Sequence, residues 1–195
     1  MDNEIKKALN VLSAGGTILY PTDTIWGIGC DAFSDNAIKK VFKIKKRDLS
    51  KGLICLASSF EMVMKYVNIN NIDLITKISK EAPTTFIFDN PRKISKLVSG
   101  NNSTIAFRVP QNNFCIKLIQ EFGRPIVSTS ANVSGDSFPN CYKEINPLLK
   151  DIVDYIVKYK DKDRIHSSSR IIKLCNDGSF KKLRWLYIRK ILIST

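Results

Sequence analysis

The sequence predicts an α/β fold: three layers, with helices flanking a twisted, mixed β-sheet. Three observations carry that prediction. Strand-like runs alternate with helical periodicities over most of the chain, and no internal repeat, low-complexity tract or long linker interrupts them. Neighbouring strands are unevenly spaced, some close enough for antiparallel hairpins and others separated by enough chain for helical crossovers. At 195 residues, with 44% hydrophobic and 25% charged side chains, the whole chain from 1 to 195 suits a single domain with a sizeable core.

Ile5, Ala8, Leu9 and Leu12 recur at helical spacing ahead of Gly15 and Gly16, which predicts an amphipathic helix over residues 3–14. The strand TILY follows at 17–20. Pro21 and the hydroxyl-rich TDT then interrupt the apolar chain before it resumes as IWGIGC at 25–30. Ser34 or Asp35 can cap a helix whose Ala37, Ile38, Val41 and Phe42 form one stripe, and that helix runs into KIKKRDLSKG. LICLA reads as a short strand, SSFEMVMKYV as a helix behind a serine cap, and NIDLITKI as a weaker helical segment. TTFIF and TIAFRV are strands joined by a polar loop of about a dozen residues around NPRK, long enough to suggest a functional connection.

In NFCIKLIQEF, the residues Phe114, Cys115, Leu118, Ile119 and Phe122 share a helical face that Gly123 ends. RPIVSTSANVSG is a strand spilling into small polar residues. EINPLLKDI suggests a helix limited by Pro147, and DYIVKY a strand. SSRIIKL and FKKLRWLYIRKIL read as closing strands joined across the turn signal NDG.

The formal net charge of +13 favours polyanionic partners, though a lysine-rich solvated surface explains it equally well. Cys30, Cys55, Cys115, Cys141 and Cys175 are odd in number and far apart, which argues against a disulfide framework or a zinc knuckle and for buried thiols in a reducing compartment. The N-terminus has no secretory pattern, and no apolar run approaches the ~20 residues that span a bilayer. A cytoplasmic protein without membrane contact is the expectation. The single histidine, His166, excludes multi-histidine metal sites and leaves little scope for a Ser-His-Asp triad.

Four segments combine strand ends with polar or basic residues. In YPTDTIWGIG, Pro21 cannot join a ladder, Thr22, Asp23 and Thr24 can satisfy a turn or a ligand, and Gly27 and Gly29 permit close backbone approach. In KIKKRDLSKGL, Lys45 and Lys46 can complement a helix C-terminus, and the cluster of Lys45, Arg47 and Lys51 reads either as a solvated charge run or as a grip on a di- or triphosphate. Alternation in STIAFRVP sends Ile105, Phe107 and Val109 one way and Thr104, Ala106 and Arg108 the other, so Arg108 needs an internal ion pair or a substrate carboxylate. Ser128, Thr129, Ser130 and Asn132 follow an apolar strand, where they either form a turn or wall a polar crevice. No phosphate-binding loop, dinucleotide fingerprint or HExxH run occurs.

Six ordered motifs, GGTILYPTDTIWGIGCDA, KIKKRDLSKGLICLA, APTTFIF, STIAFRVP, IVSTSANVSG and SSRIIKL, closely resemble the threonylcarbamoyl-AMP synthase (YrdC-like) family over roughly residues 5–184. The resemblance implies a twisted mixed sheet around a large basic cavity. It also implies a nucleotidyltransferase that makes threonylcarbamoyl-AMP and pyrophosphate from L-threonine, bicarbonate and ATP with Mg2+, and no structural metal held by the protein. The adenylate would serve tRNA modification by downstream proteins, with tRNA contact a further expectation.

By the same resemblance, Lys45 and Arg47 are catalytic, and Lys45, Arg47, Lys51, Thr104, Ser130 and Arg184 meet ATP and its phosphates. Thr24, Arg108, Ser128 and Ser169 hold threonine, with Arg108 on its carboxylate, and Asn132 supports its loop. The chain departs from the family pattern at Thr129, where many relatives carry proline, at Arg170, and after Arg184, where the usual proline-glycine turn is missing. The resemblance is to the single-domain form, so the extra domain of the longer family branch is not expected. The reading from another class is a non-catalytic tRNA or double-stranded RNA-binding module using the same charge; against it, aromatic residues are not interleaved with a dense basic run. A sugar-phosphate enzyme ranks last, for lack of clustered acids.

Overall fold

The computed structural model describes residues 1–101, 103–159, 167–175 and 179–184. Helix α1 (Asp2–Ser13) carries Ile5, Ala8 and Leu12 on one buried face. The hairpin β1 (Thr17–Tyr20) and β2 (Gly27–Asp31) brackets the PTDT turn, and the second strand starts two residues later than the apolar run suggests because Ile25 and Trp26 belong to the turn. Helix α2 (Asp35–Lys45) is capped by the Ser34 hydroxyl, which accepts from the Ala37 N–H. Then come β3 (Ile54–Leu56), α3 (Phe60–Met64), α4 (Ile72–Glu81), β4 (Thr84–Asp89), β5 (Thr104–Arg108), α5 (Asn113–Phe122) and β6 (Ile126–Ser130). The chain closes with α6 (Pro147–Ile152), β7 (Tyr155–Ile156), β8 (Arg170–Leu174) and β9 (Phe180–Arg184).

Two further details differ from the expectation. Helix α3 has only five residues, because the following turn places Tyr66 and Val67 in the core and presents the Tyr66 carbonyl to the Arg92 N–H at 2.8 Å. Pro147 opens α6 rather than limiting it; at the first helical position its missing N–H costs nothing. His166, the NDG turn and residues 185–195 lie outside the described residues.

The described strands form one nine-stranded mixed sheet in the order β7-β1-β2-β6-β3-β5-β4-β8-β9. The β1/β7, β3/β5 and β4/β8 pairs are parallel and the remainder antiparallel. Alternation along β1 sends Leu19 to one core cluster with α2, and Ile18 and Tyr20 to another with α1 and α5. That is why all four β1 residues are buried. Each fully buried Ile, Leu or Phe here stabilises the fold by about 1.5–3 kcal/mol. Gly29 permits close packing on this second face, since a Cβ there would lie 2.8 Å from the Tyr20 ring and 2.9 Å from the Val127 carbonyl.

The second face is only half covered. Helices α1 and α5 pack over β1, β2 and β6. Further along, the same face of β3, β5, β4 and β8 floors a cavity.

Candidate active site

Residues paired across a ladder point to the same side of a sheet, so register assembles the cavity floor. One cross-strand row runs Ser128, Ile54, Ala106, Ile87. The next runs Arg108, Thr85, Ile171, Arg184 across β5, β4, β8 and β9. Two arginines 76 positions apart in sequence are thereby brought to one surface. The cavity has a volume of about 460 Å³. Around the floor stand Thr22 and Thr24 from the PTDT turn, Arg47 and Gly52 from the basic loop, Val98 and Ser99, Phe138, and Ser168 and Ser169. Arg47, Arg108 and Arg184 line it, and among the described residues no carboxylate does.

The PTDT turn is tied internally. The Thr22 hydroxyl donates to the Ile25 carbonyl at 2.7 Å, accepts from the Thr24 N–H at 3.2 Å, and lies 3.0 Å from the Thr24 hydroxyl. Asp23, between the two threonines, does not line the cavity. It forms a buried ion pair with Arg108, Oδ1 to Nη1 at 2.5 Å, and its Oδ2 accepts from the Gln111 N–H at 3.0 Å.

Lys45 ends α2 and is only 2% exposed. Its ammonium does not line the cavity; it donates to the Ser130 carbonyl at 2.5 Å, the Asn132 carbonyl at 2.6 Å and Asn132 Oδ1 at 3.4 Å. The Lys45 carbonyl accepts from the Ser134 N–H at 2.9 Å, so helix end and loop are fastened at both groups. Burial, and secondarily the nearby Arg47 charge, push the Lys45 ammonium down from its ordinary 10.5 to about 8.

Lys46 then adopts the left-handed conformation, with the Lys46 and Arg47 N–H groups closing the helix on Lys43 and Phe42. This turn directs Arg47 into the cavity. One Arg47 Nη donates to the Gly52 carbonyl at 2.8 Å, while its buried Nε has no hydrogen-bond partner among the described residues. Burial lowers its pKa. A planar guanidinium that lines a cavity with no carboxylate among the described residues suits an anion. The polar loop around NPRK braces this segment: the Leu53 N–H donates to the Val98 carbonyl at 2.8 Å and the Asn101 N–H to the Ser50 carbonyl at 3.1 Å. Gly100, at φ +60°, is required there, since a Cβ would collide with the Ser50 carbonyl.

Of the sequence-selected residues, Thr24, Arg47, Thr104, Arg108, Ser128, Ser130, Ser169 and Arg184 meet in the cavity. Lys45 and Asn132 lie behind its wall, where Asn132 Nδ2 also donates to the Asp136 carbonyl at 2.7 Å. Lys51 is exposed and forms a bridge with Gly100 beside the rim. Arg184 Nε and Nη2 both donate to the Ser169 carbonyl at 3.1 and 2.9 Å, and the Ser169 hydroxyl is 2.7 Å from that of Thr85. Burial, then the neighbouring Arg108, lower the Arg184 pKa. Arg170, which departs from the family pattern, turns away to Thr84 Oγ1 and the Ile78 carbonyl.

Sequence reasoning singled out Thr22 as a turn or ligand residue but missed Val98, Ser99, Phe138 and Ser168 as walls. It also missed the burial of Lys45, for which a signal existed: position 45 continues the stripe of Ile38, Val41 and Phe42 by three and four residues. Among the described residues, no group of three or more His, Cys, Asp or Glu is arranged to hold a metal ion, and no helix is long and apolar enough to cross a membrane.

A family model described as telomere recombination, for the Sua5/YciO/YrdC domain, matches residues 10–185. The threonylcarbamoyl-AMP synthase of Psychromonas ingrahamii is 34% identical over 152 residues, 76% of this chain and 80% of that protein. The enzyme of the same name from Vibrio parahaemolyticus is 36% identical over 157 residues, 77% and 83%. Among solved structures, P. abyssi Sua5 complexed with L-threonine superposes with a TM-score of 0.83 at 25% identity, over 93% of this chain and 54% of that one, so this chain spans about half of that protein. E. coli YciO, at 23% identity, shares the fold with a TM-score of 0.79 over 96% and 91%.

Proposed function

We infer, for a chain that belongs to the Sua5/YciO/YrdC family, that it is a threonylcarbamoyl-AMP synthase, converting L-threonine, bicarbonate and ATP to threonylcarbamoyl-AMP, pyrophosphate and water. The observation that carries the reading is the cavity: about 460 Å³, lined by Arg47, Arg108, Arg184 and many hydroxyls, with no lining carboxylate among the described residues. Relatives that bear this enzyme name support it.

In this reading the threonine amine adds to bicarbonate and loses water to give a carbamate. A carbamate oxygen then attacks the α-phosphorus, and pyrophosphate leaves. No covalent bond to the protein forms; the chain supplies orientation and countercharge for a leaving group that gains negative charge. Arg47, which lines the cavity, meets the phosphates, with Arg184, Thr104 and Ser130 beside it and Lys51 at the rim. Arg108 takes the threonine carboxylate, flanked by Thr24, Ser128 and Ser169. Lys45 adds charge from behind the wall and, through the Ser130 and Asn132 carbonyls, fixes the loop against which the nucleotide lies.

Magnesium would enter bound to the nucleotide, since among the described residues the lining offers hydroxyls and no carboxylate. The product passes to other proteins of tRNA modification; tRNA contact and a cytoplasmic setting belong to the same reading. An RNA-binding module gives no reason for cations buried at a cavity, and Lys45 and Arg108 are 2% and 5% exposed.

The test is mass-spectrometric detection of threonylcarbamoyl-AMP from the purified protein with all three substrates. The product is expected, together with pyrophosphate exchange that requires both threonine and bicarbonate. Tight tRNA binding with no adduct would refute the assignment.

A further inference from the structure

We propose that Asp23 is a positioning residue for the amino-acid substrate, holding the Arg108 guanidinium by one edge so that its other edge faces the cavity as a fixed carboxylate-binding fork. The inference rests on threonine being the substrate, and it assigns a task to a residue that does not itself line the cavity.

The geometry behind it is specific. Thr22 and Thr24 line the cavity while Asp23, between them, points behind the wall, 6% exposed. Both of its oxygens are used, one on Arg108 Nη1 and one on the Gln111 N–H. The Gln111 side chain in turn donates to the Ser79 carbonyl at the back of α4. Three segments distant in sequence, the PTDT turn, the end of β5 and α4, are therefore linked through one carboxylate.

Two physical consequences follow. An arginine side chain left free has much rotamer entropy to lose, so one already ordered by Asp23 loses less when a ligand binds. Arg184 lies close enough for Arg108 to lower its pKa. A carboxylate behind Arg108 offsets that repulsion and cancels the formal charge of Arg108, so the amino-acid end offers oriented donors that suit a single carboxylate rather than a polyphosphate.

The experiment is steady-state kinetics of threonylcarbamoyl-AMP formation by Asp23→Asn, Asp23→Glu, Arg108→Gln and the double variant. Asp23→Asn is expected to raise the KM for L-threonine about 10-fold with the KM for ATP within about twofold. In the Arg108→Gln background the Asp23→Asn effect should vanish, because Asp23 acts through Arg108. Should Asp23→Asn fail to fold, Asp23→Glu, which keeps the charge but displaces it, is expected to give a smaller rise confined to threonine.

Equal changes in both KM values, or an Asp23→Asn effect that persists without Arg108, would overturn the proposal. If the wild-type protein makes no adenylate, the functional reading falls, and calorimetry with L-threonine then decides the role of Asp23 by itself: weaker binding by Asp23→Asn supports it, and equal binding refutes it. A wild-type protein that neither makes the adenylate nor binds threonine overturns both.

Discussion

Lys45 and Arg108 are both cations buried at the cavity, yet the chain holds them by different means. Arg108 meets a carboxylate, Asp23, so its formal charge is cancelled and what remains for a ligand is a set of oriented donors. Lys45 meets only neutral acceptors, the Ser130 and Asn132 carbonyls and the Asn132 amide oxygen. Dipoles hold the ammonium in place but do not cancel its charge, and this is why burial depresses its pKa. The Arg108 end supplies geometry suited to a small carboxylate, and the Lys45–Arg47 end supplies field suited to a polyphosphate.

The largest test of this contrast is Lys45→Met, which keeps the apolar stem and removes the charge. Adenylate formation is expected to fall about 10²-fold, by the loss of a few kcal/mol of electrostatic stabilisation at the leaving group. The variant should also erase a pH signature. The unfolded chain holds the Lys45 proton up to about 10.5, whereas the native chain releases it near 8. Between those values the unfolded state binds more protons, so the wild type gains stability as pH rises from about 8 to 10.5 and loses it again on the way down. Urea denaturation at several pH values in that window should show the rise in the wild type and not in Lys45→Met. Turnover in the wild type should decline over the same window as the charge is lost. A rate that ignores pH there would break the claim that the Lys45 charge acts on the cavity.

Arg108→Gln tests the other end, through stability and not through rate. It strands the Asp23 carboxylate in a buried site, and the expected loss of stability is about 3–5 kcal/mol. Adding Asp23→Asn should restore much of it, as read from urea midpoints of the single and double variants. No such recovery follows Lys45→Met when Asn132→Ala is added, since no opposite charge was stranded.

The smallest effect is assigned to Lys51. It is exposed beside the rim, where water and salt screen it. Lys51→Ala should raise the KM for ATP no more than about threefold, with the change shrinking further as ionic strength increases. A loss as large as that of Lys45→Met would mean that the rim, and not the buried pair, carries the field.

Some of this was legible in residue order. Alternation in STIAFRVP placed Thr104, Ala106 and Arg108 on one side, and all three line the cavity. The stripe of α2 and its Ser34 cap followed from local spacing. Lys45 was harder, because a lysine at a helix end is ordinarily a solvated dipole partner; its position on the apolar stripe carried the information that its charge obscured. Asp23 was harder still. Within PTDT it looks like a turn residue, and nothing nearby in sequence identifies a partner 85 positions away.

The sequence by itself determined which segments are strands and helices, which faces are apolar and, through six ordered motifs, the family, because periodicity and capping act over a few residues and motifs persist as strings. Tertiary structure alone decided that Arg108 and Arg184 share a row across four strands, that Arg108 is paired with Asp23, and that Lys45 stands behind the wall while Arg47 enters the cavity. Those outcomes depend on strand order and register. Both are set by the summed burial of two core clusters drawn from the whole chain, a quantity that no local window contains.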